Sequence, residues 1–238
     1  MDRQFEEARK MEENYHKQFY QEHDIYEEGT WMAGPMPVVM DSLARLMRLK
    51  QNLTILDLGA GAGRNTIAMA EKLKGTSSEL IAVDLLEEAV QSLVEHAKDY
   101  KVDHMISAEQ ADIEHYEMRK NRYDYIAACS CLEHLSSEEA LSKVIRRMKE
   151  GTKLGGINLI TMSTNVEEVT IQDHRPREPL IELNLPTLHA EEILADQYKD
   201  WEILFTERVT QAIPEQKYDE PTEFRCQLIR FAAQKRSE

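Results

Sequence analysis

Residues 53–65, Leu-Thr-Ile-Leu-Asp-Leu-Gly-Ala-Gly-Ala-Gly-Arg-Asn, decide the fold of this chain. The apolar run 53–58 reads as a buried strand, glycines 59, 61 and 63 make a turn, and a helical pattern begins directly after it. Glycine allows backbone conformations and close approaches that a Cβ forbids, so this turn is built for a ligand to lie against main chain. The spacing excludes the dinucleotide fingerprint G-x-G-x-x-G. Counted from Gly59 the third glycine is replaced by Arg64, and counted from Gly61 by Thr66. The run is D-x-G-x-G-x-G, with Asp57 ahead of Gly59. A carboxylate there suits a ligand with a free ammonium better than a pyrophosphate, which needs helix-end amides.

Outward from this turn, strands and helices alternate. Strands are predicted at 80–83, 105–108, 125–129 and 157–161, and helices at 64–73, 87–99 and 138–149, the last opened by Ser136 and Ser137 before Glu138 and Glu139. Such alternation gives an α/β fold with a parallel sheet and helices on both faces. Upstream, 2–22 reads as an amphipathic helix and 38–49 as a second one. Downstream, a helix at 189–197 leads to two strands, 201–210 and 224–232, which lack a helix between them and so pair antiparallel. The expected organisation is one domain over 1–238. It comprises a helical lid or cap at 1–35, a ligand-binding core at 53–163, a substrate-side loop at 164–188, and a C-terminal helix and β-hairpin at 189–238.

Composition narrows the function classes. At 238 residues and 42% hydrophobic content the chain can bury a substantial core. A formal net charge of −15 argues against nucleic acid as the main partner, since phosphate contacts need a basic surface. The start Met1-Asp2-Arg3-Gln4 carries charge where a signal peptide would need an apolar run, and no stretch reaches membrane-span length, so neither a signal peptide nor a membrane partner is expected. Three cysteines, 129, 131 and 226, make no disulfide framework, and a cytoplasmic setting follows as the expectation. Cys129, Cys131 and His134 offer soft ligands, but no second pair stands at matching spacing, so the expectation is buried cysteines and no metal.

D-x-G-x-G-x-G resembles the first motif of class I S-adenosylmethionine-dependent methyltransferases. Three further pieces, Gly61-Ala62-Gly63-Arg64-Asn65, Gly155-Gly156-Ile157-Asn158-Leu159-Ile160 and Tyr198-Lys199-Asp200-Trp201-Glu202, together resemble the tellurite-resistance methyltransferase family. The resemblance implies a Rossmann-like doubly wound sheet of about seven strands, mostly parallel, with an antiparallel strand near the C-terminus. It implies S-adenosyl-L-methionine as cofactor and S-adenosyl-L-homocysteine as product. It also implies methyl transfer to a small molecule, of the tellurite or selenite oxyanion kind or another metabolite, by a monomer or homodimer.

Ligand residues then fall along the carboxyl edge of the sheet. Asp57, Gly59, Ala60, Gly61, Arg64 and Asn65 belong to the first turn, and Cys129 and Ser130 to the end of the fourth strand. Asp84 either accepts from a ribose diol or caps the helix that follows it. The resemblance puts Leu85 on the adenine and Ala111, Asp112 and Ile113 at its edge, against a plain solvated loop for Asp112. Trp31 joins them from a covering segment rich in aromatics, which either moves as a lid or is docked permanently. On the substrate side, His134 either lines the site or satisfies a helix start. His174, Arg175 and Arg177 either cap the acceptor or form a surface loop paired to nearby carboxylates. His134 and His174 are the candidate general bases. A module that binds S-adenosylmethionine without turnover is the alternative, and a nicotinamide-dependent reductase is disfavoured by Arg64.

Overall fold

A computed structural model describes residues 3–215 and 220–236. Its centre is β1 (Thr54–Leu58), every residue of which is buried. Parallel partners lie on either side, β2 (Glu79–Asp84) with β3 (Ile106–Gln110) beyond it, and β4 (Tyr123–Cys129) with β5 (Thr152–Thr170) beyond it. The C-terminal strand β8 (Thr222–Gln234) inserts antiparallel between β5 and β7 (Glu202–Glu215), giving the order β3-β2-β1-β4-β5-β8-β7. A two-residue strand, β6 (Pro176–Arg177), pairs with β5 off this path.

Helices α1 (Arg3–Glu22), α2 (Pro37–Met47), α3 (Arg64–Lys72), α4 (Glu87–Asp99), α5 (Glu138–Gly151) and α6 (Thr187–Gln197) surround the sheet. Strand side chains alternate between faces, so Ile55 and Leu56 enter different cores. Ile55 packs with Val39 and Leu43 of α2 and Ile67 of α3, whereas Leu56 packs with Val144, Ile145 and Met148 of α5. Ser137 caps α5, its hydroxyl accepting from the Ala140 amide at 3.2 Å, where the sequence placed the helix start. Among the described residues, no helix is long and apolar enough to cross a membrane.

Strand order reverses between β1 and β4, which opens a crevice at their carboxyl ends. The three last long strands are longer than the sequence suggested. The segment 164–188 was expected as a loop, yet β5 continues to Thr170. Its polar residues look loop-like in isolation but are satisfied across the sheet. Thr164 Oγ1 donates to the Gln227 carbonyl at 2.7 Å, and a register shift between Thr164 and Glu167 absorbs Asn165 at φ +47°. The result is an antiparallel β5–β8–β7 wall beyond the carboxyl edge of the parallel sheet. The tip of its β7–β8 hairpin, 216–219, lies outside the described residues.

Two of the pieces that carried the family resemblance meet in the core. Asn158 Nδ2 donates to the Tyr198 hydroxyl at 2.9 Å, and Thr152 Oγ1 donates to Asn158 Oδ1 at 2.6 Å. The Tyr198 ring packs edge-on against Trp201, with centroids 5.2 Å apart. All of these side chains are buried, so they anchor α6 to the sheet rather than touch a ligand.

Candidate active site

A cavity of about 480 Å³ occupies the crevice. Its floor is the glycine turn. Gly59 and Ala60 both donate their amides to the Val83 carbonyl, at 2.9 and 3.0 Å, which ties the turn to β2. Gly59 and Gly61 have φ of +66° and +55°. A Cβ on Gly59 would stand 2.4 Å from Cys131 Cβ, and one on Gly61 2.7 Å from the Tyr20 hydroxyl, so both positions require glycine.

Around this floor the structure brings together most of the residues singled out from the sequence. Gly59, Ala60, Gly61, Arg64 and Asn65 line the cavity from the turn. Asp84, Leu85, Asp112 and Ile113 line it from the ends of β2 and β3, and Cys129 and Ser130 from β4. Trp31 and His134 also face it. Ser130 holds φ +50°, unusual for a residue with a side chain, while its amide donates to the Thr161 carbonyl at 2.9 Å.

Both oxygens of Asp84 accept from backbone amides, and the side chain also lines the cavity. Oδ1 accepts from the Leu86 amide at the start of α4 (3.0 Å), and Oδ2 accepts from the Gly61 amide (2.7 Å). Burial pushes its pKa up while these backbone bonds pull it down. The carboxylate therefore holds the turn closed and still presents itself to the cavity.

Asp57 is placed differently from the expectation. It is 1% exposed, lies beneath the turn and does not line the cavity; Thr66 Oγ1 of α3 donates to its Oδ2 at 2.6 Å. Burial pushes its pKa up to about 6, against the Thr66 hydrogen bond. Its part is to brace strand, turn and helix from below. Ala111 also falls outside the cavity lining, its amide spent on the Asp84 carbonyl at 2.9 Å.

Arg64 and Asn65 hold the covering segment. Arg64 donates to the Trp31 carbonyl and stacks over the Trp31 ring at 5.3 Å, and Asn65 Oδ1 accepts from the Met36 amide at 2.9 Å. The Tyr26 hydroxyl returns a bond to the Arg64 carbonyl at 2.8 Å. Trp31 stacks on Phe19 of α1, with centroids 5.0 Å apart, and α1 roofs the cavity through Arg9, Tyr15, His16 and Tyr20. A second tie comes from Arg9, which donates to the His134 carbonyl at 2.7 Å and reaches Asp112 at 3.5 Å and Glu182 at 3.6 Å.

The substrate-side residues divide. His134 is in the cavity, with Nδ1 2.9 Å from Glu182 Oε2. Burial lowers its pKa, but the hydrogen bond to Glu182 and the charges of Glu12, Glu182 and Glu133 outweigh burial and raise it to about 9. The contact with Glu182 favours the charged imidazolium, which counts against His134 as a general base. His174, Arg175 and Arg177 do not line the cavity. His174 is exposed in a turn at φ +53°. Arg175 and Arg177 both bind Glu220, at 2.9 and 2.8 Å, on the far part of the wall. The length of β5 carries them there: the chain turns back only after Thr170.

Glu133 was missed. It is 2% exposed, in a 3₁₀ turn just after β4, and lines the cavity. Oε1 accepts from the Ser163 amide of β5 at 3.0 Å, while Oε2, equally buried, has no hydrogen-bond partner among the described residues. An acid inside an otherwise apolar strand-end segment, Cys131-Leu132-Glu133, was the available signal.

Residues 55–156 match a family described as a methyltransferase domain. Fold, glycine turn and matched segment make the chain similar to class I S-adenosylmethionine-dependent methyltransferases. Within that class it is similar to the TehB group. Over 150 residues it is 31% identical to the Haemophilus influenzae protein described as "Probable S-adenosyl-L-methionine-dependent methyltransferase TehB", covering 63% of this chain and 46% of that one. It is also 25% identical over 136 residues to a carboxy-S-adenosyl-L-methionine synthase of Vibrio vulnificus, covering 57% of this chain and 52% of the relative. The crystal structure of TehB from Haemophilus influenzae shares the fold, with a TM-score of 0.62 at 23% identity over 82% of this chain and 62% of that chain. The chain thus spans about half the length of the curated relatives it matches.

Proposed function

We propose that this chain transfers the methyl group of S-adenosylmethionine to a small molecule held between α1 and the β5–β8–β7 wall. The observation that carries this reading is a single cavity with two unlike ends. At one end the glycine turn, the Asp84 carboxylate and the apolar Leu85 and Ile113 fit a ribosyl adenine. At the other, Ser163, Gln211, Ile213, Phe224 and Leu228 form a chamber that a cofactor-binding module alone would not need. The bound sulfonium supplies an activated methyl group. The chain's residues align the acceptor, and α1 with Trp31 excludes water.

The chamber does not favour a tellurite- or selenite-type oxyanion. Among the described lining residues the arginines are Arg9 and Arg64, and both are engaged by protein acceptors. The acidic surface, at a formal net charge of −15, also speaks against nucleic acid as acceptor.

S-adenosylmethionine and S-adenosylhomocysteine are expected to raise the melting temperature, and NAD is not. Ligand at 100 times its Kd stabilises the native state by about 2.7 kcal/mol. Tight NAD binding by calorimetry, with no heat from S-adenosylmethionine, would overturn the reading. Because α1 roofs the cavity, ligand entry requires it to open, and we assign it as a lid. Amide exchange across 5–22 should therefore slow when S-adenosylhomocysteine binds. Equal protection with and without ligand would make α1 a fixed wall.

A further inference from the structure

We propose that the methyl acceptor is an aliphatic amine, which binds as its ammonium ion with an N–H directed at Glu133 Oε2. The inference rests on the methyltransferase reading and names its substrate class. Its first support is the unpartnered oxygen. A buried carboxylate oxygen without a hydrogen bond is destabilising, a cost that a donor arriving in the cavity removes. The other oxygen is fixed by the Ser163 amide, so the free one has a defined position.

The second support is the charge of the chamber. Glu12, Glu13, Glu182 and Glu215 line it together with Glu133. Of the opposing groups in the lining, Arg9 is held by Asp112 and Glu182, His134 by Glu182, His16 by Glu12, and Arg64 by the carbonyl and ring of Trp31. A cation gains from this field and an anion is repelled by it. Apolar Ile213, Phe224 and Leu228 on the opposite wall suit the carbon skeleton of an amine.

The same carboxylate can perform the one proton transfer that the reaction needs. An ammonium has no lone pair, so Glu133 accepts a proton from R–NH₃⁺ and becomes the carboxylic acid. The freed nitrogen lone pair then forms the N–C bond to the methyl carbon as the C–S bond breaks. Its electron pair remains on sulfur, giving S-adenosylhomocysteine, and the product leaves as R–NH₂⁺–CH₃. Burial raises the Glu133 pKa, against the pull of His134 and the Ser163 amide, which makes it a better base than an exposed glutamate.

The test uses the full chain saturated with S-adenosylhomocysteine, titrated in a calorimeter with phenethylammonium, cyclohexylammonium and putrescine, and with the matching alcohols and selenite. At least one ammonium should bind at least about tenfold more tightly than its alcohol, a gap of about 1.4 kcal/mol. Glu133→Gln keeps an oxygen for the Ser163 amide and should lose that preference while still binding S-adenosylhomocysteine. Glu133→Asp should keep part of it. Selenite or an alcohol binding better than every ammonium would overturn the proposal, as would an unchanged preference in Glu133→Gln. The wild-type comparison decides the matter even if the Gln variant does not fold. Failure of S-adenosylhomocysteine to bind the wild type would instead strike the methyltransferase reading itself.

Discussion

Gly61→Val is expected to abolish cofactor binding, with Kd for S-adenosylmethionine moving beyond about 1 mM, weaker than about −4 kcal/mol. Three effects coincide at this residue. Its φ of +55° is strained for any side chain and worst for a β-branched one, at a cost of about 1–3 kcal/mol. Its Cβ would sit 2.7 Å from the Tyr20 hydroxyl, so the roof must lift or the turn must move. Any such movement also withdraws the Gly61 amide from Asp84 Oδ2, now 2.7 Å away. The melting temperature should fall by several degrees, since 1 kcal/mol is about 2–4 °C in a domain of this size. Calorimetry separates the two effects. Normal affinity in a destabilised variant would show that the turn serves only the fold.

Asp84→Ala should weaken S-adenosylmethionine binding about ten- to hundredfold. On the proposed reading Asp84 accepts a charge-assisted pair of hydrogen bonds from the ribose, worth about 1.5–3 kcal/mol, which the variant would remove. It also releases the Gly61 and Leu86 amides, so stability should drop as well. Asp84→Asn retains a carbonyl oxygen for one amide and should recover more stability than affinity. A folded Asp84→Ala protein with unchanged Kd would reduce Asp84 to the start of α4.

The sequence made the parallel half of the molecule legible because its signals are local. The apolar run 53–58, the glycines after it and the Ser137 cap each fix structure within a few residues. Asp84 was recognisable, but its double use was not, since the Gly61 amide reaches it only after the chain has folded back. The wall was hidden for the opposite reason. Thr164 to Thr170 were expected within a loop, and the β8 partners of Thr164 and Glu167, Gln227 and Arg225, are far away in sequence. With the continuation of β5 to Thr170 undetected, Arg175 and Arg177 were set near the methyl group and Glu133 was overlooked. Burial is likewise a property of the finished packing, which is why Asp57, expected among the ligand residues, lies outside the cavity lining and accepts from Thr66 instead.

The register of the wall has a consequence for divergence. Along β7 the cavity meets Gln211, Ile213 and Glu215, while Ala212 and Pro214 between them are exposed. Opposite them, Phe224 pairs with Ile213 and Cys226 with Gln211. A strand presents every second residue, so Gln211, Ile213, Glu215 and Phe224 are separate points on the chamber surface. None of them belongs to the glycine turn or to the β2 and β3 ends that fit the nucleoside. Acceptor choice can therefore drift by single replacements on a rigid surface while the cofactor half stays constant, with no loop to be rebuilt.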